Sequence, residues 1–509
     1  LVFSRTPFFP SLPVANMLLE VNTENSPSQP MASTSTSSSV VTLNVGGELF
    51  QTTAGTLSRA GASSPLASLA PSSPNAPHFL DRDPRLFALI LSFLRCGRLA
   101  SPPPSSALLA EARHFALDGA LLASLSPPSA FSPLSLRPAA LLPLTGRVAP
   151  SVVAISPSPC TASLVAAHGG AVTSFDAALA SRASVLTPLP TVDSLVAVSP
   201  ALALAGARDF PSVHLCRFLG DAAATASEAL SWQDSPSASV LSLATTAASE
   251  AASQWLFASF ESARRNSSAV VAFDLNSLSP VVEIGRKEVF GADVEAAIPP
   301  TKLGWLAGHS LLLAAGSHSG PAGMVGDIRL WDVRASSTVP VWEVREKEDC
   351  FADVAASDSL SALFKVGAAS GEVFMADLRR LSGDGSGVEP WVCIGDEQRA
   401  GAATASRRKD GNNCRVECYR SWVFVTRGAD VEVWSQVELT SEAGKKKAMR
   451  KNWLGNGPSM ITAGSVDGMV EKAKIVSWAF GGSRMALARV DQRSIEVWDS
   501  ASGAISVNL

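Results

Sequence analysis

Seven segments of this 509-residue chain end in nearly the same way. They are VTSFDA (172–177), VHLCRF (213–218), VVAFDL (270–275), IRLWDV (328–333), VFMADL (373–378), VEVWSQ (431–436) and IEVWDS (495–500). Each reads as a strand, and most close on an aromatic residue followed by aspartate. Two further apolar strands precede them, as in SVVAISP and SLVAAHGG ahead of the first, or DSLVAVSP and ALALAGARD ahead of the second. The segments recur every 40 to 65 residues or about that, the length of one four-stranded antiparallel sheet with loop insertions. A single such sheet cannot cover both of its faces, so the repeat makes a stable object only when successive sheets pack against each other about an axis. Closing that array also removes a long exposed edge. The pattern therefore predicts an all-β array of seven units over residues 141–509, with the closing outer strand taken from either the lead-in LLPLTGR or the last turn SGAISVNL.

Two of the seven endings are literal Trp-Asp pairs, Trp331-Asp332 and Trp498-Asp499. On these residues and the spacing, the region resembles WD-repeat proteins, which implies a seven-bladed β-propeller that binds other proteins. Gly308-His309 sits before a second strand rather than at a blade entrance. The resemblance therefore does not carry over the internal histidine, serine, tryptophan and aspartate network of full WD repeats.

Residues 40–125 follow different rules. In VVTLNVGGELFQTTAGTL (40–57), Val41, Leu43 and Val45 alternate with polar residues up to Gly46-Gly47. A phosphate loop needs a lysine after the last glycine, and a dinucleotide fingerprint needs a third glycine opening a helix. Neither is present, so the pair reads as the tight turn of a hairpin, where both residues take positive φ. Thr52 or Thr53 can then cap a short helix through Leu57. In FLDRDPRLFALILSFLRCGRL (79–99), Asp83 suits the N-cap, Pro84 the first helical position and Gly97 the stop. Leu86, Phe87, Ile90, Leu91 and Leu94 share one face of that helix. A third helix, 107–117, follows Ser105 and Ser106 and ends near Gly119. Phe50, Phe79, Phe87 and Phe93 read as core.

These three motifs, in this order and spacing, resemble the potassium-channel tetramerisation (KCTD) type of BTB/POZ domain, and the whole chain resembles plant BTB/POZ proteins with WD-type repeats. The resemblance implies an α/β BTB/POZ head over residues 40–125 that self-associates and, in many members, docks onto cullin-3. Asp81, Arg82, Asp83 and Arg95 are then candidates for oligomer or cullin contact; read locally, they are caps and solvated charges. Some channel relatives hold zinc through a histidine and a later cysteine pair. No such pair follows His114, so no metal is expected.

The head and the repeats are joined by a proline-rich stretch, 126–140, readable as a linker or a docking strap. Residues 1–39 read as a disordered extension, with Met31 a plausible start. A net charge of -4 gives no field to attract nucleic acid or an anionic membrane, and no apolar run is long enough to cross a bilayer. Seven scattered cysteines fit reduced thiols in the cytoplasm or the nucleus, and Cys414 and Cys418 read as two unlinked thiols. KKKAMRK (445–451) reads as a solvated loop or a nuclear import signal.

The six histidines share no catalytic spacing with carboxylates or a nucleophile, so neither enzyme activity nor a cofactor is expected. The turns between second and third strands carry His168, Arg208, Arg264, Arg265, His318, Arg427 and Arg493. Arginine forks match carboxylate and phosphate geometry, so this rim is a candidate site for an acidic or phosphorylated client segment. The plainer reading is that turns are polar anyway. Sequence reasoning thus points to a substrate adaptor of a cullin-3 ubiquitin ligase, with an oligomeric scaffold or nuclear regulator lacking a ligase as the alternative.

Overall fold

The computed structural model describes residues 40–70, 77–97, 99, 104–157, 163–218, 225–246, 254–288, 298–320, 323–334, 339–347, 349–381, 390–394, 411, 413–441, 444–454 and 473–500. The extension 1–39, Cys160 and the final SGAISVNL lie outside them.

Strands β1 (Val40–Val45) and β2 (Glu48–Thr53) pair antiparallel with Val45 opposite Glu48, leaving Gly46 and Gly47 as a two-residue turn. Their φ angles are +57° and +99°, and a Cβ on Gly46 would stand 2.5 Å from the carbonyl oxygen of Arg82. Gly47 donates its N–H to Asn44 Oδ1 at 3.0 Å. Helices α1 (Ala54–Ser58) and α2 (Pro65–Ser68) lead to β3 (His78–Leu80), which joins the free side of β1 in parallel. Thr53 caps α1 by accepting the N–H of Thr56.

Helix α3 (Pro84–Cys96) starts where Asp83 accepts the N–H of Arg85 at 2.8 Å and stops at Gly97, which is left-handed. Phe87, Ile90, Leu91 and Leu94 face Val41, Leu43 and Val45 in one apolar cluster. Helix α4 (Ser106–His114) is capped by Ser105, and α5 (Asp118–Leu125) follows it. This α5 corrects the sequence reading, in which the chain stops being helical near Gly119. Ala116, at φ 54°, ends α4, and Leu121 draws the next turn into the head core, so Gly119 lies inside α5.

Phe79 is a second correction. The helices cover only one face of the order β2-β1-β3, and Phe79 lies opposite Asn44 on the other face, 64% exposed.

Downstream, the described residues form seven four-stranded antiparallel sheets. In chain order they span 152–186, 194–231, 239–288, 302–346, 351–393, 416–453 and 475–499, and each of the seven quoted endings lies in the third strand of its sheet. The seventh sheet takes its outer strand from β4 (Arg137–Pro143), with Ile495 opposite Leu142. The closing strand is thus the lead-in, and it starts at Arg137, inside the stretch set out above as a linker.

The sheets share no central core. Each gap between neighbours holds its own apolar cluster, for example Leu313 and Ile328 against Phe351 and Leu363, or Phe257 and Val270 against Leu312 and Trp331. The gap between the last sheet and the first is filled in the same way, by Ala486, Ile495 and Leu142 against Val153 and Leu164. Inner strands are also pegged to their neighbours: Leu303 donates its N–H to Ser242 Oγ (3.0 Å), Val416 to Asp353 Oδ2 (2.9 Å) and Val153 to Ser477 Oγ (3.1 Å). These features are those of a β-propeller. The basic run 445–451 is the outer strand of a long hairpin in the sixth sheet and not a loop, because its backbone pairs continuously with 434–440.

Candidate functional site

In the head, Asp81, Arg82 and Asp83 sit at the start of α3 and Arg95 at its end. Asp83 is used as the helix cap. Arg82 Nη2 lies 2.6 Å from His114 Nδ1, and Nη1 lies 3.8 Å from Glu111. His114 is therefore engaged by an arginine. Arg95 reaches back to donate to the carbonyl oxygen of Gln51 at 2.8 Å, and Asp81 is exposed. Sequence reasoning missed the larger feature beside them. Leu49 (67% exposed), Asn44 and Phe79 form one cross-strand row on the outer face of the sheet, and Val40 lies on the same face. The signal was available in the alternation, since Val40, Thr42 and Asn44 have the opposite parity to the core residues Val41, Leu43 and Val45.

On the propeller, all seven rim candidates lie in or beside a hairpin between second and third strands, but they divide into two groups. Arg208, Arg264, Arg265, His318 and Arg493 are exposed. His168 and Arg427 are built into their sheets. His168 is 5% exposed, with Nε2 at 2.9 Å from Thr173 Oγ1, which in turn meets Ser184 Oγ at 2.8 Å. Burial lowers its pKa and keeps the ring neutral. Arg427 Nε stands 3.2 Å from Glu432, which Lys451 also meets at 2.6 Å. Burial works against the charge of Arg427, but Glu432 outweighs it and the pKa is raised.

Of the exposed group, Arg265 lines the gap between the second and third sheets. A cavity of about 260 Å³ opens there, lined by Phe210, Pro211, Ser237, Ser239, Glu261 and Arg265. Arg208 sits on its edge, in the turn that carries Phe210, with its backbone N–H tied to Asp193 at 2.9 Å. Burial raises the pKa of Glu261, while the charges of Arg265 and His318 pull it back down. The cavity, which Asp209 and Ser262 also line, therefore offers two carboxylates, three serines and an exposed guanidinium against an apolar Phe-Pro wall, a set that can hold a polar peptide side chain.

Buried ion pairs are the polar groups that sequence reasoning did not find. Lys365 Nζ meets Glu346 Oε2 at 2.8 Å between the fifth and fourth sheets. Arg489 meets Glu496 at 2.9 Å and also donates to Ala473 O. Lys302, on an inner strand, reaches Asp353 (3.1 Å) and Glu417 (3.6 Å) on the next two sheets. A lone charge inside an apolar strand, as in ALFKVG or RMALAR, is the signal that could have found them.

Among the described residues, no three histidine, cysteine, aspartate or glutamate side chains gather as metal ligands, and no helix is long and apolar enough to cross a membrane.

Comparison with known proteins gives three results. Residues 41–125 match the family model described as BTB/POZ domain. The chain is 41% identical over 483 residues to the BTB/POZ domain-containing protein At5g41330 of Arabidopsis thaliana, covering 92% of this chain and 98% of that protein. Among solved structures, it is similar to a chain of the mitotic checkpoint complex (TM-score 0.45, 13% identity, 72% of this chain and 95% of that one) and to the RRP9 WD40 repeats (TM-score 0.44, 12% identity, 72% and 99%).

Proposed function

The chain belongs to the BTB/POZ domain-containing proteins, and from that premise we propose that it is a non-enzymatic adaptor. The head is of the KCTD type, self-associates and docks cullin-3; the seven sheets are the blades of one closed propeller that presents a client protein for ubiquitin transfer. The observation that carries this reading is the outward face of the head sheet. A row of Leu49, Asn44 and Phe79 with Val40 beside it is costly to leave in water and suits a second protein surface. Asp81, Arg82 and Asp83, beyond β3, and Arg95, against β2, would set the register of that contact from opposite edges of the sheet.

The client would approach the rim near Arg208, Arg264, Arg265 and His318, with Arg493 farther round. Their charges favour an acidic or phosphorylated segment. His168 and Arg427 would act there only by holding the turns in place. Several heads in one assembly would multiply weak client contacts through effective concentration. The adaptor would work in the cytoplasm or the nucleus.

The test is retention of purified cullin-3 on the full chain, with the mass of the complex measured in solution. Stoichiometric retention supports the adaptor. A chain that self-associates and retains no cullin is instead the scaffold without a ligase.

A further inference from the structure

The join between head and propeller has almost no slack. Leu121, in α5, is fully buried in the head core, and α5 remains helical to Leu125. The next residue, Ser126, is 6% exposed and already belongs to the propeller. Its Oγ accepts the N–H of Ser483 at 2.9 Å and lies 3.0 Å from Ser483 Oγ, which donates to Asp499 Oδ1 at 2.6 Å. The backbones meet so closely that a Cβ on Gly482 would collide with the Ser126 carbonyl oxygen, and Gly482 is also at φ +61°.

The following residues stay attached. Arg420 donates to the carbonyl oxygen of Pro128. Phe131 is 7% exposed, with its ring edge-on to Tyr419 (4.7 Å between centroids), Phe424 (6.1 Å) and Phe480 (6.2 Å). Ser500 Oγ accepts the N–H of Ser132 at 3.2 Å and lies 2.9 Å from Ala130 O. Leu136 then enters the apolar cluster between the sixth and seventh sheets, just before β4 begins. Aromatic insertion, hydroxyl bonds at both ends and a glycine cleared for close approach are the marks of a built contact, whereas a proline-rich tether would be solvated and extended.

We infer that residues 126–136 form a strap fixed along the sixth and seventh sheets, so that the chain passes from the end of α5 onto the propeller with no free linker between them. Together with the adaptor reading, on which only this consequence rests, it means that each propeller would stand within short reach of the assembled heads.

Hydrogen exchange on the full chain tests the strap without cullin or client. The amides of Phe131, Ser132 and Ser483 should be protected in the wild type. Ser126→Ala removes one hydroxyl, and the Ser483 amide should then exchange about tenfold faster, the effect of roughly one hydrogen bond, while Val165 in the first sheet is unchanged. Phe131→Ala should release all of 126–136. Strap amides that exchange at the unprotected rate in the wild type overturn the inference, and so does a Ser483 amide indifferent to Ser126→Ala.

Discussion

At the scale of single residues, the polar groups inside the sheets decide how the protein responds to acid. Glu432 is buried between Lys451 and Arg427. Burial alone would raise its pKa, but the two cations outweigh burial and hold it below the usual 4.5. A carboxylate whose pKa is lower folded than unfolded contributes its stability above the unfolded value and loses it as pH falls through the folded one. His168 has a pKa lowered from 6.5 by burial, so its contribution is whole above 6.5 and declines below it. Urea unfolding should therefore weaken in two windows, below 6.5 and again below 4.5. His168→Gln should reduce the first, which His214, likewise lowered by burial, shares. Glu432→Gln should shrink the second and cost about 1–3 kcal/mol at neutral pH, because it leaves two part-buried cations without their buried counter-charge. An unchanged acid limb in Glu432→Gln would contradict the assignment.

Single elements depend on a few backbone positions. Gly46→Ala combines a left-handed φ, worth about 1–2 kcal/mol, with a Cβ pressed against the Arg82 carbonyl. The head should melt earlier than in the wild type by at least that cost, whereas Gly47→Ala, with open space around it, should pay only the φ penalty; thermal unfolding of both variants checks the difference. This turn was legible in the sequence because its signals are local, and so were the caps Thr53, Asp83 and Ser105 and the stop at Gly97. The seven third strands were legible because alternation and spacing are local too. What failed was set by distant partners. Helix α5 exists because Leu121 finds the head core. Phe79 is exposed because no layer covers its face of the sheet. The strap exists because Phe131 meets three aromatic rings, Tyr419, Phe424 and Phe480, from about 290 to 350 residues later in the chain. At the rim, the exposure of Arg208, Arg264, Arg265 and Arg493 follows from their being turn residues. His168 and Arg427 were misplaced because Thr173 and Glu432, their partners across the hairpin, turn them inward.

For the whole molecule, the question is what the closed array and the open face of the head each demand. The array depends on β4, since without it the seventh sheet presents an unpaired edge and the gap to the first sheet loses Leu142. Leu142→Asp buries an unpaired charge at that seam and should turn a cooperative unfolding transition into a broad one with aggregation, read by calorimetry and light scattering. The head makes the opposite demand. On its outer sheet face Val40, Leu49 and Phe79 are exposed among Thr42, Asn44 and Gln51, and no other described element covers them; if the proposed self-association uses this face, charges placed there should block assembly without disturbing the core behind it. Leu49→Asp with Phe79→Asp touches none of the buried cluster of Val41, Leu43, Val45 and Phe87. The double variant should therefore keep the wild-type melting of its propeller and its far-ultraviolet spectrum, while, if the head self-associates as proposed, its mass in solution drops from a multiple of 52.8 kDa to that of one chain. If the head pairs through this face, cullin retention should weaken in parallel, because each docking site would lose the neighbouring subunit that sets its register. A double variant that remains as large as an oligomeric wild type would move the proposed self-association surface off this face of the sheet.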